Sequence, residues 1–87
     1  MHFTITIKHE RRGIRLLVEL LEATDSIEKY RVKARNQSFV LQSNRPLIRG
    51  KGLKHFPISW KVIEGSYHHT YILEQIIKAI EKKITEV

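Results

Sequence analysis

Apolar residues recur along this chain in two different periods. From Thr70 to Ile84, Leu73, Ile77, Ile80 and Ile84 are spaced by four and three, Val87 extends the series, and Ile72 and Ile76 widen the stripe. Glu74, Gln75, Lys78, Glu81, Lys82 and Thr85 fill the other side, which predicts an amphipathic helix with one broad face to bury. Ser66 or Thr70 is placed to cap its start. A helix this short is marginal alone, whereas each buried Leu or Ile contributes roughly 1.5–3 kcal/mol. The helix must therefore dock, and the upstream chain has to supply the surface.

That upstream chain alternates instead. In His2–Lys8, Phe3, Ile5 and Ile7 face one way and His2, Thr4, Thr6 and Lys8 the other, the pattern of a half-buried strand. His9–Gly13 reads as a hairpin connection with Gly13 in the left-handed conformation. Tyr30, Val32 and Ala34 alternate with Lys29, Arg31, Lys33 and Arg35. Asn36-Gln37 then suits a two-residue turn into a return strand with Phe39 and Leu41 inward. Residues 44–57 form a connection of fourteen, in which Pro46 pushes Arg45 towards an extended conformation and Gly50 and Gly52 bracket Lys51. Ile58–Ile63 predicts the last strand, with Ile58, Trp60 and Val62 on one face, closed by Gly65-Ser66.

Ile14–Ala23 supports two readings. Ile14, Leu16, Val18 and Leu20 fit a strand; Ile14, Leu17, Val18 and Leu21 fit a helix. A short connection from the first strand favours the strand. The expectation is an α+β fold in a single domain over 1–87: an antiparallel β-meander of about five strands with one C-terminal amphipathic helix packed on one face. Its inner face would carry Phe3, Ile5, Ile7, Ile14, Leu16, Val18, Tyr30, Val32, Phe39, Leu41 and Trp60. The helical reading gives an order containing α-β-β-β-α, which resembles the topology of double-stranded-RNA-binding domains. That family's basic cluster at the start of the last helix is absent, since the chain reads Ser66-Tyr67-His68-His69 there.

Charge adds a direction. The chain carries +7, and residues 29–61 hold nine Lys and Arg with no acidic residue, while each flank sums to −1. An excess confined to the middle third suggests a polyanionic partner. Lys29, Arg31, Lys33 and Arg35 form a row with heads roughly 6–7 Å apart, and Arg45, Arg49, Lys51 and Lys54 would close over it from the loop. The loop glycines would let backbone N–H groups approach an anion, although no Walker A motif is present. With Tyr30, Phe39 and Trp60 in the core, Phe56 is the ring left to stack on a base. The expected site is thus Lys29, Arg31, Lys33, Arg35, Arg45, Arg49, Lys51, Lys54 and Phe56, with DNA or RNA as partner and sequence-independent contacts.

Other chemistries find less support. With no cysteine there is no disulfide, thiolate metal site or cysteine nucleophile. His68 and His69 would point about 100° apart on a helix, unlike a chelating i,i+4 pair. No nucleophile signature occurs, and His55 is the one residue on which a small basic ribonuclease could be built. The reading is non-catalytic, with no metal, small-molecule cofactor or membrane partner, and cytoplasmic. The rival is a protein-interaction or homodimerising module using Leu17, Leu21, Val40 and Ile63 on the outer sheet face.

Overall fold

A computed structural model describes residues 1–35, 37–53, 56–65 and 70–85. Five strands, β1 (His2–His9), β2 (Arg12–Ala23), β3 (Glu28–Lys33), β4 (Ser38–Ser43) and β5 (Trp60–Glu64), form one antiparallel sheet in sequence order. A short helix, α1 (Arg45–Gly50), joins β4 to β5, and α2 (Thr70–Thr85) packs across one face, running against β1. The expected α+β meander with one helix on one face is the architecture found.

The alternation explains the core. Ile5, Ile7, Leu16, Val18, Tyr30, Val32, Phe39 and Leu41 are buried from the sheet side, with Phe3, Ile14 and Trp60 partly buried beside them. Ile72, Ile76, Ile80 and Ile84 are the fully buried line of α2, and Leu73 and Ile77 pack at its margin. The helix is thus turned slightly from the phase that places Leu73 and Ile77 at the centre of the stripe. The potential caps Ser66 and Thr70, and Val87 at the far end, carry no described side chain.

The ambiguous stretch is a strand. Ile14–Ala23 lies wholly in β2, paired with β1 up to Glu19 and with β3 from Leu17 onward, so the helical reading and its resemblance to double-stranded-RNA-binding domains do not hold. Between Leu20 and Glu22 the register shifts by one residue. This bulge leaves Leu21 as the extra residue and brings Glu22 onto the outer face opposite Lys29.

Three local expectations change. In the first hairpin, Gly13 sits in the ladder opposite Lys8, and the left-handed residues are Glu10 (φ 49°) and Arg11 (φ 68°). Residues 44–57 are not a plain loop: 45–50 is helical, and Pro46, in the first turn, presets the helix where an N–H has no partner anyway. The last strand begins at Trp60 rather than Ile58. The second turn is closed by the Ala34 N–H donating to the Gln37 carbonyl at 2.8 Å, with Asn36 outside the described residues. After β5, Gly65 (φ +74°) is required, because a Cβ there would stand 2.8 Å from the Ser38 carbonyl oxygen.

Candidate nucleic-acid interface

The expected basic row exists as geometry. Lys29, Arg31 and Lys33 lie on the sheet face away from α2, opposite Glu22, Glu19 and Leu17 of β2 respectively. That register brings in the acids that the middle third lacks. Lys29 Nζ lies 3.0 Å from Glu22, and Lys33 Nζ lies 2.9 Å from Glu19. The Lys33 hydrogen bond holds the Glu19 carboxyl below its usual value. Two of the three cations in the row are therefore already paired. Arg31 lies half-buried between Glu19 and Val40.

Arg45 is turned to the other side of the sheet. Its Nε and Nη2 donate to the two carboxylate oxygens of Glu28, at 3.0 and 2.5 Å, and the Tyr30 hydroxyl donates to Glu28 at 3.0 Å. Glu28 is 7 % exposed. These bonds raise the Arg45 pKa further, and burial next to Glu28 pushes the Tyr30 phenol up to about 12. Arg45 and Arg49 border a cavity of about 570 Å³ shared with Phe3, Leu20 and Ile84, which places them on the α2 side.

The Gly-Lys-Gly segment does not form an anion cradle. Lys51, Gly52 and Leu53 donate their N–H groups to the carbonyls of Leu47, Arg49 and Ile48. With Gly52 at φ +67°, this is a Schellman cap on α1. Lys51 is exposed; Lys54, His55, His68 and His69 lie outside the described residues. Phe56 is 59 % exposed.

Most of the two groups of cations sit at opposite ends of the sheet, and Lys29, at the α1 end, is on the other face from Arg45. Lys33 and Arg35 are at the β3–β4 turn, and α1 follows the far end of β4, six residues away, roughly 17 Å along a strand. Lys33 and Arg45 also face opposite ways. The structure does not bring Lys29–Arg35 and Arg45–Lys51 together on one anion.

A different set does converge. The last β2–β3 pair is Leu17–Lys33, but the β1–β2 ladder continues for five more pairs, from Ile5–Leu16 to His9–Arg12. The hairpin therefore runs on past β3 as a two-stranded arm, roughly 15 Å long. Its inner side holds the core residues Ile5, Ile7 and Leu16. Its tip carries Lys8, Arg11 and Arg12, and Arg15 stands further back opposite Thr6, all exposed and without an ion-pair partner among the described residues. Arg35, equally unpaired, turns over two residues past Lys33, on the flank of this arm. The one acid at the tip, Glu10, lies 3.9 Å from His9.

These residues escape a reading by thirds of the chain, because Glu19, Glu22, Asp25 and Glu28 cancel them in the sum. A window over 8–15, with four cations and one acid, reveals them. The turn residues add a second signal. Left-handed conformations cost non-glycine residues roughly 1–2 kcal/mol each, and here Glu10 and Arg11 both adopt one.

The rival's residues are dispersed. Val40 is buried, Leu17 half-buried, and Leu21 (42 % exposed) and Ile63 (39 %) lie on β2 and β5, with two strands between them. No family model, curated protein or solved structure matches the chain. No helix among the described residues is long and apolar enough to cross a membrane.

Proposed function

We propose that this chain is a non-catalytic nucleic-acid-binding module that grips the phosphate backbone with the end of the β1–β2 arm. Lys8, Arg11, Arg12 and Arg15 supply the main contacts, and Arg35 adds one from the neighbouring turn. Arg31, Arg49 and Lys51 are secondary, long-range contributors, while Lys29, Lys33 and Arg45 are engaged by carboxylates. The observation that carries this reading is the grouping at one end of the sheet of five exposed cations without an ion-pair partner among the described residues, with Arg12 on the α2 side of the arm and Lys8 and Arg15 on the other.

Backbone contacts through lysine and arginine give affinity without sequence preference. The aromatic inventory points the same way: Phe3, Tyr30, Phe39 and Trp60 belong to the core, so the stacking platforms of base-reading single-strand binders are lacking at the arm. Fluorescence anisotropy with labelled single-stranded and duplex oligonucleotides at low salt tests the reading. Binding that weakens steeply with added salt and varies little with sequence is expected; no binding at low salt rejects it.

Self-association through the outer sheet face is the second reading. It is less well supported, because the exposed apolar residues of that face are separated by the Glu19–Lys33 and Glu22–Lys29 pairs.

A further inference from the structure

We propose that the free edge of β1, together with Lys82 and Lys83 of α2, is a docking site for an extended peptide segment of a partner protein, acidic on the side that faces α2. This inference is independent of the nucleic-acid reading and shares with it only Lys8, at the tip end of the edge.

The phase of the ladder decides which backbone groups face the edge. The Leu20 N–H donates to the Met1 carbonyl at 2.9 Å, which makes Met1–Leu20 a hydrogen-bonded pair. In an antiparallel ladder such pairs alternate with pairs whose backbone groups point outward. The register then assigns Phe3, Ile5, Ile7 and His9 to β2 and turns the N–H and C=O groups of His2, Thr4, Thr6 and Lys8 to the open edge. All four are exposed. β1 stands at the end of the strand order, holds no proline and pairs through eight residues without a register shift. Natural edge strands are commonly blunted by such interruptions; this one is straight and ready to accept another strand.

The surroundings select the strand. Between Thr4–Thr6 and α2 runs a groove of about 300 Å³ lined by Ile5, Ala79, Lys82 and Lys83. Among the described residues, neither the groove lining nor β1 holds an acidic one. A strand added beside β1 would aim every second side chain at these lysines, and carboxylates are their complement. Its other side chains would stand beside Thr4 and Thr6, where β-branched residues pair well.

A second copy of β1 fits poorly. Two-fold pairing centred on Ile5 would bring Lys82 and Lys83 of both copies onto the same axis, four like charges together. A nucleic-acid strand also fits poorly at this edge. The edge offers carbonyl acceptors in alternation with N–H donors, and a phosphate chain has acceptors alone.

The test is a titration of the ¹⁵N-labelled full chain at low salt with a soluble peptide alternating Glu and Val. Peptides alternating Glu with Pro and Lys with Val, and a single-stranded oligonucleotide, serve as comparisons. The Glu-Val peptide should shift the amide signals of His2, Thr4 and Thr6, which lie away from the arm tip, and slow their hydrogen exchange. The Glu-Pro peptide, which lacks alternate N–H donors, and the Lys-Val peptide should do neither. Reversing both lysines (Lys82→Glu, Lys83→Glu) should weaken Glu-Val binding by at least about tenfold; both side chains are exposed, so the fold should persist. Thr6→Pro should abolish the exchange protection. The proposal is overturned by absence of Glu-Val binding, by equal binding of the Glu-Pro peptide, or by an oligonucleotide that moves the same edge amides as strongly. Self-association that protects those amides and survives the lysine reversals would assign the edge to a second copy instead.

Discussion

The two ends of the sheet use the same residue type in opposite ways. At one end Arg45 reaches under the sheet to Glu28 and Tyr30, nearly removed from water. At the other, Arg11, Arg12, Arg15 and Arg35 stand in solvent with no carboxylate bound among the described residues. An arginine's role here is set by which acid the register delivers to it. The open end keeps most of its charge to offer a partner, whereas the closed end leaves Arg49 and Lys51 exposed. The closed end spends the charge of Arg45 on holding α1 to the sheet.

The largest expected effect breaks the closed end. Arg45→Met leaves Glu28 buried without its partner and should lower stability by about 3 kcal/mol. The double variant Arg45→Met, Glu28→Leu should recover much of that loss, since it removes both charges together. Urea denaturation of the three proteins measures this, and a single variant as stable as the parent would mean that the pair holds nothing.

Alkaline titration sharpens the same contrast. The Tyr30 phenol is raised in the folded chain from its ordinary value of 10 to about 12. The unfolded chain therefore releases this proton first as pH rises. The associated stability is intact below pH 10 and is lost between about 10 and 12, by up to roughly 2 kcal/mol. Tyrosinate absorbance should show one ring ionising late, and Tyr30→Phe should remove that late phase.

The open end should respond in the opposite sense. Replacing the strained turn (Glu10→Asn, Arg11→Gly) supplies residues that accept positive φ, and should raise stability by about 1 kcal/mol. The same change removes Arg11 and should reduce affinity for oligonucleotides. Thermal melts and anisotropy together read both signs; a turn swap that stabilises nothing would show that Glu10 and Arg11 are unstrained.

The smallest effect lies between the ends. Glu19→Gln removes the solvent-screened pair with Lys33 and should shift the urea midpoint only slightly. Because that carboxyl is held below its usual value, its contribution is present at neutral pH and disappears as pH falls through its folded pKa. A loss several times larger in an acid titration would show that the outer face is held by its charges.

How much of this the sequence discloses depends on distance along the chain. Period-two alternation identifies β1, β3 and β4 and nearly the whole core, because which way a side chain points is a local property. The strand at 14–23 is legible only through the short hairpin that precedes it. The ion pairs are not legible at all. Lys33 meets Glu19 and Arg45 meets Glu28 across 14 and 17 positions, and these meetings depend on strand register and on where α1 begins, while the Lys29–Glu22 pair depends also on the bulge at Leu21. Glu28 also falls one residue outside the acid-free segment 29–61, where its effect on Arg45 is invisible to a count. The arm is hidden for a related reason: its reach past β3 depends on the relative lengths of two hairpins, which composition does not record.

The most direct test of the account is the salt dependence of binding to a single-stranded oligonucleotide, for the parent chain and for Arg11→Ala, Arg12→Ala. Five phosphate contacts predict a slope of log K against log salt near −3.5, and loss of two should bring it to about −2 with the fold unchanged. An unchanged slope and affinity in the arm variant would contradict the account, as would a parent chain that does not bind.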